Sequence, residues 1–189
     1  MAEIVLETER LVLRPWKNED RAPFAAMNAD PEVMRYFLST LGSSESDALV
    51  DRIRDHFVSR GFGLFALERK SDGAFLGFTG LSRGPDNTPV AEETEIGWRL
   101  ARKFWRQGLA YEAASACIDW AWRSTDLSRI VSFTSGENEP SRCLMQKLGL
   151  TRRPELDFDS PSIPSDNPLC RQVVYAIERA DARGQAERG

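Results

Sequence analysis

The run from Thr94 to Glu112, TEIGWRLARKFWRQGLAYE, leaves few local folds open: a strand-like stretch, then a basic turn holding a glycine, then a helix-forming run. The first N–H groups of a helix have no intrahelical acceptor and carry a partial positive charge, so a strand that feeds such a turn into a helix builds an anion site. Arg99, Arg102, Lys103 and Arg106 crowd the same turn, and Gly108 and Ala110 leave the backbone open to close approach. Glu95 adds a carboxylate upstream on the strand. An anion cradle beside a potential base points to an enzyme that uses a phosphate-bearing substrate or cofactor.

The rest of the chain sets bounds on that reading. Its 189 residues suffice for one domain with a sizeable core. Apolar residues at 41% and charged residues at 29% are the proportions of an ordinary globular protein. A formal charge of −4 argues against a nucleic-acid binder, whose footprint is a basic face. No apolar run approaches the roughly 18 residues that span a bilayer. The opening MAEIVLETER lacks the basic-then-apolar order of a secretory signal, so a cytoplasmic, membrane-free location is expected. Cys117, Cys143 and Cys170 are odd in number and lack metal-ligand spacing; they read as reduced structural thiols. With His56 the sole histidine, no metal site is expected.

Along the chain, TERLVLRPW reads as a first strand confined by Pro15, and GFGLFALE (61–68) and AFLGFTGL (74–81) as a hairpin turned at Asp72-Gly73. Helices are expected over 19–27, capped by Asn18, and over 45–59, capped by Ser43 or Ser44. After a strand over 93–100, Leu109, Ala113, Cys117 and Trp120 fall at helical spacing over 107–123. RIVSFTS (129–135) is a short strand. Asn138 caps a further helix with Pro140 in its first turn, Leu144 and Leu148 inward and Gly149 as its stop. Strands over 150–158 and 172–178 follow, giving a mixed α/β domain over 1–179 and a polar tail over 180–189.

Several sharper motifs fail on their context. Gly80-Leu81-Ser82-Arg83-Gly84 matches the nucleophile elbow of serine hydrolases, but Pro85 and Pro89 follow where the elbow needs a helix, and His56 lies upstream. His56 itself sits mid-helix among charged residues, as a packing or solvated side chain does. Neither a Walker A sequence nor G-x-G-x-x-G after a strand is present, which disfavours nucleotide kinases and Rossmann dehydrogenases.

Four ordered stretches do agree with one another: EIGWRL, then Trp105-Arg106-Gln107-Gly108-Leu109-Ala110, then Asn138-Glu139-Pro140-Ser141, then Lys147-Leu148-Gly149-Leu150. Together with TERLVLRPW, the glycines Gly73, Gly77 and Gly80 of the hairpin and the closing VVYAIER, they resemble the GNAT superfamily of acyl-CoA-dependent N-acetyltransferases. The branch most resembled is that of the ribosomal-protein N-terminal acetyltransferases. The resemblance implies a single-domain α/β fold: a mixed, mostly antiparallel twisted sheet splayed between its fourth and fifth strands, with helices on both faces. It implies acetyl-CoA as co-substrate, the pyrophosphate held by the backbone of Arg106, Gln107, Gly108, Leu109, Ala110 and Tyr111, with Leu100 and Asn138 as further contacts. In the family pattern Q/R-x-x-G-x-G/A, Gly108 and Ala110 match; Trp105 takes the first position, and Arg106 stands where a small residue is usual.

The same resemblance implies Glu95 as general base, with Glu93 as fallback two positions away on the same strand face. It implies Ser141 as the group that protonates the departing thiolate, water being the alternative, because Met145 stands at the usual tyrosine position. The acceptor is then a primary amine, on a peptide N-terminus or a small molecule; Glu92, Glu93, Asp157, Asp159 and Asp166 are candidates for an acidic mouth that draws it in. Homodimers are common among such proteins, so a second copy is an open partner. The contrasting expectation is a non-catalytic acyl-CoA-binding or regulatory module on the same fold.

Overall fold

Leu11 and Leu13 alternate with Val12 and Arg14. In the computed structural model, which describes residues 5–179, that alternation becomes strand β2 (Leu11–Arg14) with both leucines fully buried. β1 (Leu6–Glu7) pairs antiparallel with β2, and β2 pairs antiparallel with β3 (Leu64–Arg69). β3 turns into β4 (Phe75–Arg83) through the expected hairpin, where Gly73 takes φ 69 and its N–H donates to the carbonyl of Arg69 at 2.8 Å. The polar tail expected over 180–189 lies outside the described residues.

By their internal contacts the described residues divide into two compact units, 5–82 with 97–117, and 83–96 with 118–179. The first unit holds β1 to β4, the later part of β5 (Thr94–Leu100), α1 (Arg21–Asn28), α2 (Ser43–Arg60) and the opening turns of α3 (Leu109–Ser124). Its core gathers Trp16, Phe24, Val50, Ile53 and Phe78. Trp16 meets Phe24 edge-on at 4.8 Å, and its indole N–H donates to the Leu64 carbonyl at 2.7 Å, so the largest ring is buried without an orphaned donor. Arg14 enters this core paired with Asp20 and Glu68, each at 2.7 Å, and those carboxylates hold it charged.

The helix starts differ from expectation. Asn18 opens a short 3-10 turn (Asn18–Asp20), and it is the Asp20 carboxylate, 2.8 Å from the Lys17 N–H, that prepares α1. α2 begins at Ser43 itself. Gly42 is its cap residue, its N–H donating to Glu45 at 2.8 Å, so the carboxylate three residues on takes the role assigned to a serine.

The second unit holds the start of β5, β6 (Arg129–Ser135), α4 (Glu139–Lys147), β7 (Thr151–Arg152), β8 (Phe158–Asp159) and β9 (Arg171–Glu178). β6 runs antiparallel to β9 from Arg129 opposite Glu178 to Ser135 opposite Gln172. The single strand expected over 150–158 is broken: Pro154 has no N–H for a ladder and starts a 3-10 turn (Pro154–Leu156) between β7 and β8. Val90, Val131, Phe158, Val174 and Ala176 form this unit's core.

The strands hydrogen-bond in the order β1-β2-β3-β4-β5-β6-β9-β7, with β8 also on β9. β5 and β6 are the fourth and fifth of the strands expected from sequence. They pair in parallel, with Glu95 opposite Val131 as their shared position. Among the described residues no helix is long and apolar enough to cross a membrane.

Candidate functional site

The turn before α3 is built on two residues with left-handed backbone, Arg106 at φ 58 and Gly108 at φ 77. Glycine adopts this region without cost; for arginine it costs about 1–2 kcal/mol, a strain that persists only where the surroundings over-determine the backbone. The Trp105 indole N–H donates to the Leu100 carbonyl at 2.7 Å, folding the turn back onto the end of β5. The first helical bond of α3 runs from the Glu112 N–H to the Gly108 carbonyl at 3.0 Å. Hence the backbone N–H groups of Arg106, Gln107, Gly108, Leu109 and Ala110 have no acceptor among the described residues. Unpaired amides at a helix start, unless solvated, are what an anion satisfies. Arg106, Gln107 and Gly108 are exposed, Leu109 is buried under the turn, and Tyr111 stands out from the first turn of α3.

A distant segment pins this turn. The Glu112 carboxylate accepts from the Thr8 hydroxyl at 2.6 Å, the Arg10 N–H at 2.8 Å and the Arg10 Nε at 2.6 Å. Arg10 also donates through Nη1 to the Gln107 carbonyl at 3.0 Å, and its Nη2 lies beside Gly108, 3.4 Å from where a Cβ would stand. The carbonyl of the turn is thereby turned toward Arg10, and a cation is added beside the open amides. Burial raises the Glu112 carboxyl, but the hydrogen bonds from Thr8 and Arg10 outweigh it and hold the group below its ordinary range. Thr8, Arg10 and Glu112 were missed from sequence; the one local signal is an acid in the first helical turn, which also suits the helix dipole.

Arg99, grouped above with the cations of the turn, bonds elsewhere: its Nη1 donates to Asn28 Oδ1 at 2.7 Å. Leu100 is buried and closes β5. Gly77 on β4 lets the backbone of β5 come near, because a Cβ there would sit 2.1 Å from the Arg99 carbonyl oxygen.

Glu95, Asn138 and Ser141 belong to the second unit. Glu95 is half-buried at its paired position on β5. Glu93, the fallback base, precedes the strand and is ion-paired to Arg129 at 2.9 Å. Of the acids suggested for an acceptor mouth, Glu92 pairs with Arg83 at 2.7 Å, Asp159 with Arg171 at 3.3 Å, and Asp157 closely with Arg152. The expected pull on a cationic amine is therefore largely neutralised inside the unit, with Asp166 left exposed.

Asn138 caps α4 as expected, accepting from the Ser141 N–H at 3.3 Å while its amide donates to Thr134 at 2.8 Å. Met145 is buried, whereas Leu144, expected inward, is only partly so. The thioether at the usual tyrosine position is thus packed as core. His56 is half-buried, edge-on to Phe62 at 5.9 Å, and burial and Arg60 push its pKa down. Cys117, Cys143 and Cys170 are free thiols, Cys117 raised by complete burial.

Residues 10–151 match the family model described as the acetyltransferase (GNAT) domain. The chain is 29% identical over 189 residues to the FsC-acetyl coenzyme A-N(2)-transacetylase of Aspergillus fumigatus, covering 95% of this chain and 78% of that one. The acetyltransferase of Agrobacterium tumefaciens has the same fold at a TM-score of 0.77 and 26% identity, over 94% of this chain and 96% of that one. The ribosomal-protein-S5-alanine acetyltransferase of Vibrio fischeri gives a TM-score of 0.69 at 15% identity, over 94% and 98% of the two chains, a likeness of fold.

Proposed function

The chain belongs to the GNAT acetyltransferase family, and on that premise we propose that it moves the acetyl group of acetyl-CoA to a primary amine by direct attack within a ternary complex. The observation that carries the cofactor assignment is the row of unpaired amides from Arg106 to Ala110, bracketed by left-handed Arg106 and Gly108. The pyrophosphate sits on these amides, beside the Arg10 guanidinium, with Tyr111 as a further contact; Asn138 is a separate candidate contact of the cofactor. Neither Arg106 nor Gln107 needs its side chain for this, because the donors are backbone groups.

Glu95 removes a proton from the acceptor amine, directly or through a water. The amine nitrogen bonds to the thioester carbon, and a backbone N–H near Leu100 meets the oxyanion that forms. The carbon–sulfur bond then breaks, and Ser141 or water returns a proton to the coenzyme A thiolate. A single carboxylate suits an amine that is already partly neutral: an α-amino group near pKa 8 loses its proton far more readily than a lysine near 10.4. The relative from Aspergillus fumigatus, by its name an N(2)-transacetylase, supports a small-molecule amine as one acceptor class; a protein N-terminus is the other.

Thiol release with acetyl-CoA and an amine panel tests the reading, alongside calorimetry with acetyl-CoA alone. Turnover that falls about a thousandfold in Glu95→Gln, with acetyl-CoA affinity kept, is the expected result for a general base. Tight acetyl-CoA binding with no acceptor turned over would make the chain a binding module; no binding at all would remove the cofactor assignment.

A further inference from the structure

Arg99 is a half-buried cation without a carboxylate. It lies within the first unit, where Nη1 donates to Asn28 Oδ1, and Asn28, fully buried, passes its own amide proton to the Ser46 hydroxyl at 2.7 Å. Nε is shut off from solvent and has no hydrogen-bond partner. No ion pair to Arg99 exists among the described residues, although almost every other buried or half-buried arginine of this chain has an acid or a set of carbonyls. Two phenyl rings cover the guanidinium instead, Phe37 at 4.1 Å and Phe78 at 5.4 Å. Burial alone pushes its pKa down, to about 10, which leaves it cationic at neutral pH.

Cation–π contacts return part of the desolvation cost but do not satisfy an N–H. A buried charge is ordinarily paired, and an unpaired donor in a dry site is expensive. The unpaired edge has a definite shape. With Nη1 tied to Asn28, the side carrying Nε and Nη2 remains, a planar fork that matches a carboxylate bidentately. Phe37 lies against the guanidinium from the segment between α1 and α2, which has neither helix nor strand, and it is 42% exposed with Leu38 beside it at 54%. An apolar cover that is itself exposed, above a cation that lacks its anion, fits a ligand with a carboxylate at one end and apolar body behind it.

We propose that Arg99 is a carboxylate-binding residue for the acceptor, so that the amine acetylated by this protein itself carries a carboxylate, as an amino acid or an amino-terminal acidic residue does. The assignment of the amine as acceptor rests on the acetyltransferase reading; the carboxylate site does not. Asn28 positions the guanidinium by holding Nη1, and Ser46 holds Asn28. Phe37 swings aside for entry and packs against the bound ligand.

Nitrogen-15 spectra of the Arg Nε–H groups, assigned by the signal lost in Arg99→Lys, test the site directly. The probes are acetate, butyrate and phenylacetate, each against its primary amide. The carboxylates shift the Arg99 signal, phenylacetate most, and the amides leave it unmoved. Asn28→Asp supplies an internal carboxylate, so it melts no lower than the parent yet loses the carboxylate-induced shift. In turnover, an amino acid outcompetes its own amide by about tenfold or more in the parent, the value of a charge-assisted fork. That preference disappears in Asn28→Asp. Equal response to acids and amides, or no response to either, overturns the proposal. Acetyl-CoA calorimetry on the same sample separates the two ideas: no acetyl-CoA binding beside a carboxylate-shifted Arg99 would sink the acetyltransferase reading and leave the carboxylate site standing.

Discussion

Arg10 and Glu112, separated by 102 positions, meet through both the backbone N–H and the Nε of the arginine, at 2.8 and 2.6 Å, while Arg10 reaches on to the Gln107 carbonyl at 3.0 Å. The turn with the open amides is therefore held from outside itself. Replacing Glu112 by Gln keeps the shape and removes the charge that orients Arg10. We expect acetyl-CoA affinity by calorimetry to weaken about tenfold, the size of one charge-assisted hydrogen bond. Arg10→Met should weaken it by a similar factor, because it releases the same carbonyl and removes the adjacent cation.

Glu112 also links stability to pH. Its carboxyl is held below the ordinary value of 4.5 in the folded state. The unfolded chain therefore takes up the proton first as pH falls, so the stabilisation is complete above pH 4.5 and is lost as pH drops through the folded value. Melting curves collected at successively lower pH should fall less steeply for Glu112→Gln than for the parent across that acidic window. Parallel curves would mean that Glu112 carries no such linkage.

Arg106 occupies a left-handed conformation, φ 58, that glycine takes freely. Arg106→Gly should raise unfolding free energy by about 0.5–1 kcal/mol, the relief of strain less the added freedom of the unfolded chain. Acetyl-CoA affinity should stay within about 0.5 kcal/mol of the parent if the backbone alone makes the contact. A larger loss would assign the guanidinium a direct role.

Two glycines of the β3–β4 hairpin separate conformational from steric need. Gly73, φ 69, has no neighbour within 4 Å of where a Cβ would stand, whereas at Gly77 a Cβ would sit 2.1 Å from the Arg99 carbonyl oxygen. Gly73→Ala should cost about 1 kcal/mol in denaturant unfolding. Gly77→Ala should cost about 3 kcal/mol or more, since a backbone atom rather than a side chain must move.

What was legible in the sequence was local. Asp72-Gly73 announced its hairpin, RIVSFTS its strand, Asn138 its helix cap, and the 94–112 run its strand, turn and helix, because each depends on backbone preferences and hydrogen bonds spanning a few residues. Errors of the same local kind were small: Gly42 with Glu45 caps α2 in place of a serine, and Pro154 splits the strand expected over 150–158.

The family and the strand–turn–helix order of 94–112 were thus legible in the order of residues alone. Only the tertiary structure decided which charges are spent and which are open. Glu93, Glu92, Asp157 and Asp159, alike in sequence to any solvated acid, are matched by arginines brought in by chain folding. Arg99, read as one more cation of a basic turn, is carried instead to Asn28, 71 positions away, under two rings and without an acid. Charge pairing is a property of distance in space, and no spacing along the chain encodes it until the strands and helices have packed.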